Sequence, residues 1–357
     1  MYQSNVIIEE ERGNMYNFQS DYLEGCAPEI LEELIKTNNK QQPGYGNDDY
    51  CLIAKRLIKN ALNKEDVDIH FVPGGTPCNI LATSIALKPY EAVICPSTGH
   101  INVHETGAIE LKGHKILTAD SKDGKLNPLD IIDICEKHID EHMVKPKMVF
   151  ITNPTELGTV YTLEEVRTIR QVCDKYGLYL YMDGARLSSA LVSTNNNLKL
   201  TDIAELTDMF YIGGTKNGAL LGEAFVVCND KLKEDFRYYL KQNGQMLAKS
   251  RIIGVSFKVL FTDDLYLKLA SHANKTADAL KYVFSAFGVK SYCESNTNQQ
   301  FFILDNKVIE KLKEKYEFEI WGPYNESSSI CRFVTSWCTK EEATLEFASD
   351  LKQALKK

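Results

Sequence analysis

No apolar run in the 357 residues approaches the roughly 18 consecutive residues that a membrane-spanning helix needs, so no membrane partner is expected. Repeats and low-complexity tracts are also missing. Basic residues are in deficit: 41 Lys and Arg face 49 Asp and Glu, and the net charge of −8 argues against a nucleic-acid or anionic-membrane surface. The opening stretch, MYQSNVIIEEERGN, is acidic and lacks the apolar core of a signal peptide. The ten cysteines include no CxxC pair and read as reduced, mostly core thiols of a cytoplasmic protein. A Walker A loop is absent, since neither "PGGTPCN" nor "GGTKN" places Gly-Lys-[Ser/Thr] after the required spacer. The order HExxH is absent too. His100 and His104 stand four apart without a supporting His/Cys cluster, so no metal is expected.

What is present is a globular composition, 44% apolar and 25% charged, on a chain long enough for a large domain and a smaller one. Strand and helix patterns alternate through the middle. Ile69–Val72, Ala92–Cys95, Lys147–Thr152, Leu178–Met182 and Met209–Ile212 are short apolar or β-rich runs. Thr162–Tyr176 is an amphipathic helix that opens with a Thr162/Glu165 capping box and stops at Gly177. This alternation predicts an α/β domain with a mostly parallel sheet. Past residue 250 the pattern changes. Ala273–Phe287 and Glu341–Leu355 read as helices, and Gln300–Leu304, Phe318–Trp321 and Arg332–Ser336 as strands. The expected division is an N-terminal segment (1–30), a large domain (31–250) and a smaller α+β domain (251–357).

In open α/β sheets ligands bind beyond the carboxyl ends of the strands. Gly74–Thr76, His100, Asn153, Asp183 and Lys216 all fall at such ends. Thr76 can N-cap a helix with Pro77 in its first turn, and the glycines would let a phosphate approach the exposed N–H groups; a plain strand-to-helix turn is the alternative. His100 suits stacking on a flat ligand, or is a hydrogen-bonded interior histidine. Asp183 follows an apolar strand with Arg186 three residues on, which is compatible with a structural Asp–Arg pair or a helix cap. Lys216 lies among glycines and apolar residues in "YIGGTKNGALLGEAFVV". It is a surface lysine on a turn, or a desolvated amine available for a Schiff base. A carboxylate for a pyridinium nitrogen, a lysine for an aldehyde and a glycine turn for a phosphate are together the parts of a pyridoxal 5'-phosphate site.

The stretches "FQSDYLEGCAPEILEEL", "YGNDDY", "PGGTPCN", "GHINVHETGA", "NPTELGTVY", "YMDGARL", "GGTKNGALLGEA" and "CRFVTSW" carry a resemblance that spans nearly the whole chain. The sequence resembles the threonine aldolase / β-eliminating lyase family of fold-type-I pyridoxal-phosphate enzymes, in its low-specificity branch. The resemblance implies an aspartate-aminotransferase-like fold with the cofactor on Lys216, Asp183 at the pyridine nitrogen, His100 on the ring, and Gly75 and Thr76 at the phosphate. It assigns the substrate carboxylate to Ser20, Arg186 and Arg332. The implied reaction is Cα–Cβ cleavage of a β-hydroxy-α-amino acid, L-threonine or L-allo-threonine giving glycine and acetaldehyde. β-Elimination or another reaction on an amino acid is the alternative, and a non-catalytic protein of the same fold a more distant one. A homodimer or homotetramer is implied, with Tyr45 and "QMLAKSR" as candidates to reach a neighbouring subunit. One departure stands out. Many members carry Asn-Thr-His where this chain reads Asn153-Pro154-Thr155.

Overall fold

The computed structural model describes residues 15–356, and the acidic opening stretch lies outside them. Its centre is a seven-stranded sheet. Across it the strands are ordered Asp68–Val72, Glu223–Val227, Met209–Gly213, Tyr179–Asp183, Lys145–Thr152, Glu91–Pro96 and Ile116–Ala119. Neighbours pair in parallel except at Glu223–Val227, which is antiparallel to both of its partners. Two reversals in succession restore direction, so Asp68–Val72 runs with the parallel strands and its carboxyl end joins theirs on one edge.

The strands read as continuous apolar runs because both faces are covered. Side chains alternate between two core clusters with the period of two that a strand imposes. Phe210 and Ile212 enter one cluster, Met209 and Tyr211 the other; Leu180 and Met182 are likewise divided from Tyr181, and Val149 and Ile151 from Met148 and Phe150. Each such side chain buried from water contributes about 1.5–3 kcal/mol. The covering helices start and stop where local chemistry directs. Leu163–Tyr176 has the expected capping box at Thr162 and Glu165, and ends at Gly177 with φ +65°, a left-handed residue that glycine adopts without a Cβ clash.

The core of the large unit continues past residue 250. Helix Arg251–Leu260 packs against Asp49–Leu62 and Pro28–Thr37, and buries Ile253, Phe257 and Leu260 in the first cluster. Helix Leu265–Ala286 then leads into the smaller unit, beginning eight residues before the Ala273 expected from the sequence. There a three-stranded antiparallel sheet, ordered Glu319–Pro323, Ser328–Val334 and Gln299–Asp305, packs with helix Glu341–Ala354 around Phe284, Phe302, Phe333 and Phe347. The N-terminal segment joins this unit. Tyr16–Asn17 pairs in parallel with Tyr316–Glu317, Phe18 is fully buried in the aromatic cluster, and its carbonyl accepts from Val334 N at 2.8 Å. That anchoring delivers the next residues, Gln19 to Tyr22, to the cleft between the units. Among the described residues no helix is long and apolar enough to cross a membrane.

Candidate active site

A cleft of about 490 Å³ opens over the carboxyl edge of the central sheet, with the smaller unit and the N-terminal segment forming its other walls. The loops after Tyr179–Asp183 and Met209–Gly213 approach so closely that only glycine fits at two positions. A Cβ on Gly184 would lie 1.9 Å from the Tyr211 carbonyl oxygen, and one on Gly213 would lie 2.3 Å from that of Ala185. The glycines around Lys216 therefore serve chain packing as well as access.

Asp183 is 2% exposed, and burial of a carboxylate is costly unless donors meet it. Three do. Tyr211 donates its hydroxyl to Oδ1 at 2.5 Å, Ala185 N donates to Oδ1 at 3.0 Å, and Asn79 Nδ2 donates to Oδ2 at 3.1 Å. Burial, reinforced by Asp183, pushes the Tyr211 phenol well above its ordinary pKa, so it remains a donor. Asn79 is itself oriented by Tyr181, whose hydroxyl donates to Oδ1 at 2.9 Å. Its amide also donates to Glu105 Oε1 at 2.6 Å, and the same oxygen lies 2.7 Å from His100 Nδ1. A continuous hydrogen-bonded line thus runs from Asp183 through Asn79 and Glu105 to His100. Burial works to depress the His100 pKa; the Glu105 hydrogen bond and the charges of Asp183 and Glu156 outweigh it and raise the value, favouring the cation.

Gly75 opens the 12-residue helix Gly75–Ala86 at this edge. The N-cap is Gly74, and Thr76 is the second helical residue, not the N-cap that the sequence indicated. Extended backbone at Gly74 (φ 177°) starts the helix early and leaves its first N–H groups without a side-chain cap. A Cβ on Gly75 would lie 2.9 Å from Tyr211 Oη, which ties this turn to the residue that holds Asp183.

Lys216 is half-buried in the cleft and makes no hydrogen bond or ion pair among the described residues; its Nζ lies 5.9 Å from the Tyr22 ring centroid. Burial, then the nearby Arg186 charge, lowers its pKa, while Asp21, Glu156 and Asp183 oppose the shift without cancelling it. The loop that carries it is fixed by Glu223, a residue the sequence did not single out. Its carboxylate accepts from Gly214 N at 2.6 Å, and burial pushes its pKa up to about 7. Asn217 pins the other side by donating to the Tyr266 carbonyl at 2.8 Å.

Ser20, Arg186 and Arg332 come together in the cleft from the N-terminal segment, the large unit and the smaller unit. Arg186 does not pair with Asp183. It meets Asp21, from the segment that Phe18 anchors, through Nε at 2.6 Å and Nη2 at 3.1 Å. Arg332 contacts Glu319 and Gln299, stacks its guanidinium 5.2 Å from the Trp321 ring centroid, and keeps a buried Nε without a partner. Burial and the Arg186 charge both lower the Arg332 pKa, as expected of two cations facing one cleft. The Ser20 hydroxyl is buried and unpartnered. A ligand carboxylate would meet the unpartnered Ser20 hydroxyl and Arg332 Nε, with the Arg186 charge beside them. His104 sits at the rim, its ring 5.9 Å from Trp321. Asn153 lies behind the site, where its N–H donates to the Asp183 carbonyl at 3.0 Å. Tyr45 and the 245–251 stretch pack on each other through Tyr45 N to Ala248 O at 3.2 Å, outside the cleft. Among the described residues no group of three or more His, Cys, Asp and Glu side chains is placed to hold a metal.

A family model described as beta-eliminating lyase matches residues 17–307. The chain is 36% identical to a low specificity L-threonine aldolase of Pseudomonas sp. (strain NCIMB 10558), over 95% of this chain and 97% of that protein. It is 34% identical to the protein of the same description from Pseudomonas aeruginosa, over 94% and 96% of the two chains. Among solved structures, the Leishmania major threonine aldolase superposes with a TM-score of 0.94 at 46% identity, covering 95% of this chain and 99% of that one. A Thermus thermophilus aspartate aminotransferase superposes with a TM-score of 0.70 at 12% identity, a likeness of fold alone, over 96% of this chain and 92% of that one. The architecture is that of the aspartate-aminotransferase-like fold type I.

Proposed function

This chain belongs to the beta-eliminating lyase family, and from that premise we propose that it cleaves the Cα–Cβ bond of a β-hydroxy-α-amino acid, converting L-threonine and L-allo-threonine to glycine and acetaldehyde with pyridoxal 5'-phosphate as cofactor. The observation that carries the reading is the conjunction in one cleft of an unpaired Lys216 with lowered pKa, two arginines, one of them with an unmet donor, and His100, which a hydrogen-bonded line joins to the buried Asp183.

The residues present fit the cofactor. The uncapped helix start at Gly75 and Thr76 suits a phosphate. Asp183 is a fixed carboxylate for a ring nitrogen, His100 is a plane for stacking, and Lys216 is an amine for the aldehyde. When bound, pyridoxal phosphate supplies an electron sink for negative charge developing at Cα. The chain supplies the rest. Arg332 grips the substrate carboxylate, with the Ser20 hydroxyl as a further donor and Arg186, held by Asp21, adding its charge, and together they decide which Cα bond faces the cofactor plane. Lys216, with a depressed pKa, is suited to moving a proton at Cα. The ten unpaired cysteines suit a reducing compartment such as the cytoplasm. A homodimer or homotetramer is supported by exposed apolar side chains, Leu31 and Ile35 on Pro28–Thr37 and Leu52 on Asp49–Leu62, and by the exposed Tyr45 in the loop between those helices.

An amino-acid panel with product identification tests the reaction. Glycine from L-threonine and L-allo-threonine is the expected result. Phenol from tyrosine or sulfide from cysteine, with no glycine from either threonine, overturns it in favour of β-elimination.

A further inference from the structure

Cleavage of a β-hydroxy-amino acid releases an aldehyde only if some group accepts the hydroxyl proton. Lys216 is assigned to the cofactor. His100 is engaged through Nδ1 with Glu105 and is assigned to stacking on the cofactor ring. Glu319 is engaged by Arg332. His104 is exposed at the rim. The remaining basic group is Glu156, a residue the sequence had not singled out. It lines the cleft and is 7% exposed, yet its carboxylate makes no hydrogen bond or ion pair among the described residues. Its charge is felt at Lys216, Arg186, Arg332, His100 and His104, which places it amid the groups that surround the substrate position.

The backbone that carries Glu156 is held on both sides. Thr155 N donates to Thr159 O at 2.8 Å and Gly158 N to Thr155 O at 2.9 Å. Thr159 Oγ1 donates to Asp123 O at 2.7 Å, and Ser295 Oγ donates to Gly158 O at 3.2 Å. Gly158 adopts φ +76°, and a Cβ there would lie 2.2 Å from Ser295 Oγ, so the turn is closed against the smaller unit. A carboxylate on a fixed turn, facing the cleft and without a protein partner, is placed to meet a ligand hydrogen.

We infer that Glu156 is a further catalytic residue, the carboxylate that hydrogen-bonds the substrate β-hydroxyl and takes its proton as the Cα–Cβ bond breaks. The inference rests on the lyase reading above. In this step the O–H proton passes to Glu156, and the O–H electron pair becomes the second C–O bond of the aldehyde. The Cα–Cβ pair stays on Cα, which takes up a proton to give glycine, and Glu156 returns its own proton to solvent. One threonine gives one glycine and one acetaldehyde with no net proton change.

The test compares parent, Glu156→Gln and Glu156→Asp as holoenzymes. Glycine has no β-hydroxyl, so its binding, read from the cofactor absorbance, and exchange of its α-proton with D2O, read by NMR, report the site without the proposed step. Glu156→Gln should lose 100-fold or more in kcat for L-threonine, within the roughly 10²–10⁴-fold range of a general base, while glycine Kd and exchange rate, which feel only the lost charge, change far less than kcat. Glu156→Asp keeps a carboxylate and should fall between Gln and parent. Threonine cleavage by Glu156→Gln within about 3-fold of parent overturns the inference, because no base would have been lost. So does an equal loss of glycine exchange, which would mark a structural role, or a His104→Asn variant that loses cleavage while Glu156→Gln keeps it. A parent enzyme that exchanges glycine but does not cleave threonine would instead remove the lyase reading itself.

Discussion

Asp21 and Arg186 form a two-point ion pair, 2.6 and 3.1 Å, between residues 165 positions apart, with both side chains buried. Asn298 of the smaller unit donates to the same carboxylate at 2.8 Å. The pair therefore joins the N-terminal segment, the large unit and the small unit at the floor of the cleft, and fixes an arginine assigned to substrate. Removing one member of such a buried pair costs about 3–5 kcal/mol. Asp21→Ala should lower the unfolding midpoint accordingly and weaken amino-acid binding; a thermal melt matching the parent would show that the pair adds no stability, and an unchanged glycine titration that it does not position Arg186.

The same carboxylate sets a pH dependence. Burial works to raise the Asp21 pKa, but Arg186 and Lys216 overcome it and hold the value below that of an ordinary carboxylate. A depressed folded-state pKa contributes stability that is complete above the unfolded value, about 4, and is lost as pH falls through the folded one. The stability advantage of parent over Asp21→Asn should therefore shrink on acidification below about pH 4. A gap that stays constant down to about pH 2, or widens, contradicts the shift.

Gly75 and Asp183 are coupled through Tyr211. Its hydroxyl donates to Asp183 at 2.5 Å and lies 2.9 Å from where a Cβ on Gly75 would be. Gly75→Ala should displace that hydroxyl and loosen cofactor retention. Tyr211→Phe removes the obstruction but leaves Asp183 a donor short, at about 1–3 kcal/mol. The double variant should be less impaired than the two single effects added together. Additive losses in cofactor dissociation, followed by absorbance, would show that the residues act independently.

Arg332→Ala should weaken amino-acid binding by about 2–5 kcal/mol, the loss for one member of a desolvated charge pair, while cofactor affinity stays near that of the parent. Titration with glycine separates the two. Unchanged glycine affinity would remove Arg332 from the carboxylate clamp.

Glu105→Gln should lower the His100 pKa, since the Glu105 hydrogen bond is the leading influence that raises it against burial. A histidine ring titration by NMR reads this directly, and an unmoved midpoint would mean that Asp183 and Glu156 alone raise the value.

The features legible in the sequence are local ones. Short apolar runs marked most strands of the sheet, the Thr162/Glu165 box marked a helix start, and Lys216, Asp183, His100 and Gly75 stood out because each sits where a strand stops. The residues that were not legible act across the chain. Asp21 finds Arg186, Glu105 finds Asn79 and His100, and Glu223 finds the Gly214 N–H only after folding. Glu223–Val227 also belonged to the quoted glycine-rich stretch, and nothing local signals that it returns as an antiparallel strand between Asp68–Val72 and Met209–Gly213. Thr76 has a good capping side chain, but the extended backbone of Gly74 places the helix start ahead of it.

The most direct measurement is the stoichiometry of products from L-threonine, with parent and Lys216→Ala enzymes assayed side by side in saturating pyridoxal phosphate. Glycine and acetaldehyde in equal amounts from the parent, with neither from Lys216→Ala, is the predicted result. Release of 2-oxobutanoate and ammonia by the parent, or glycine formation undiminished in Lys216→Ala, would contradict the account.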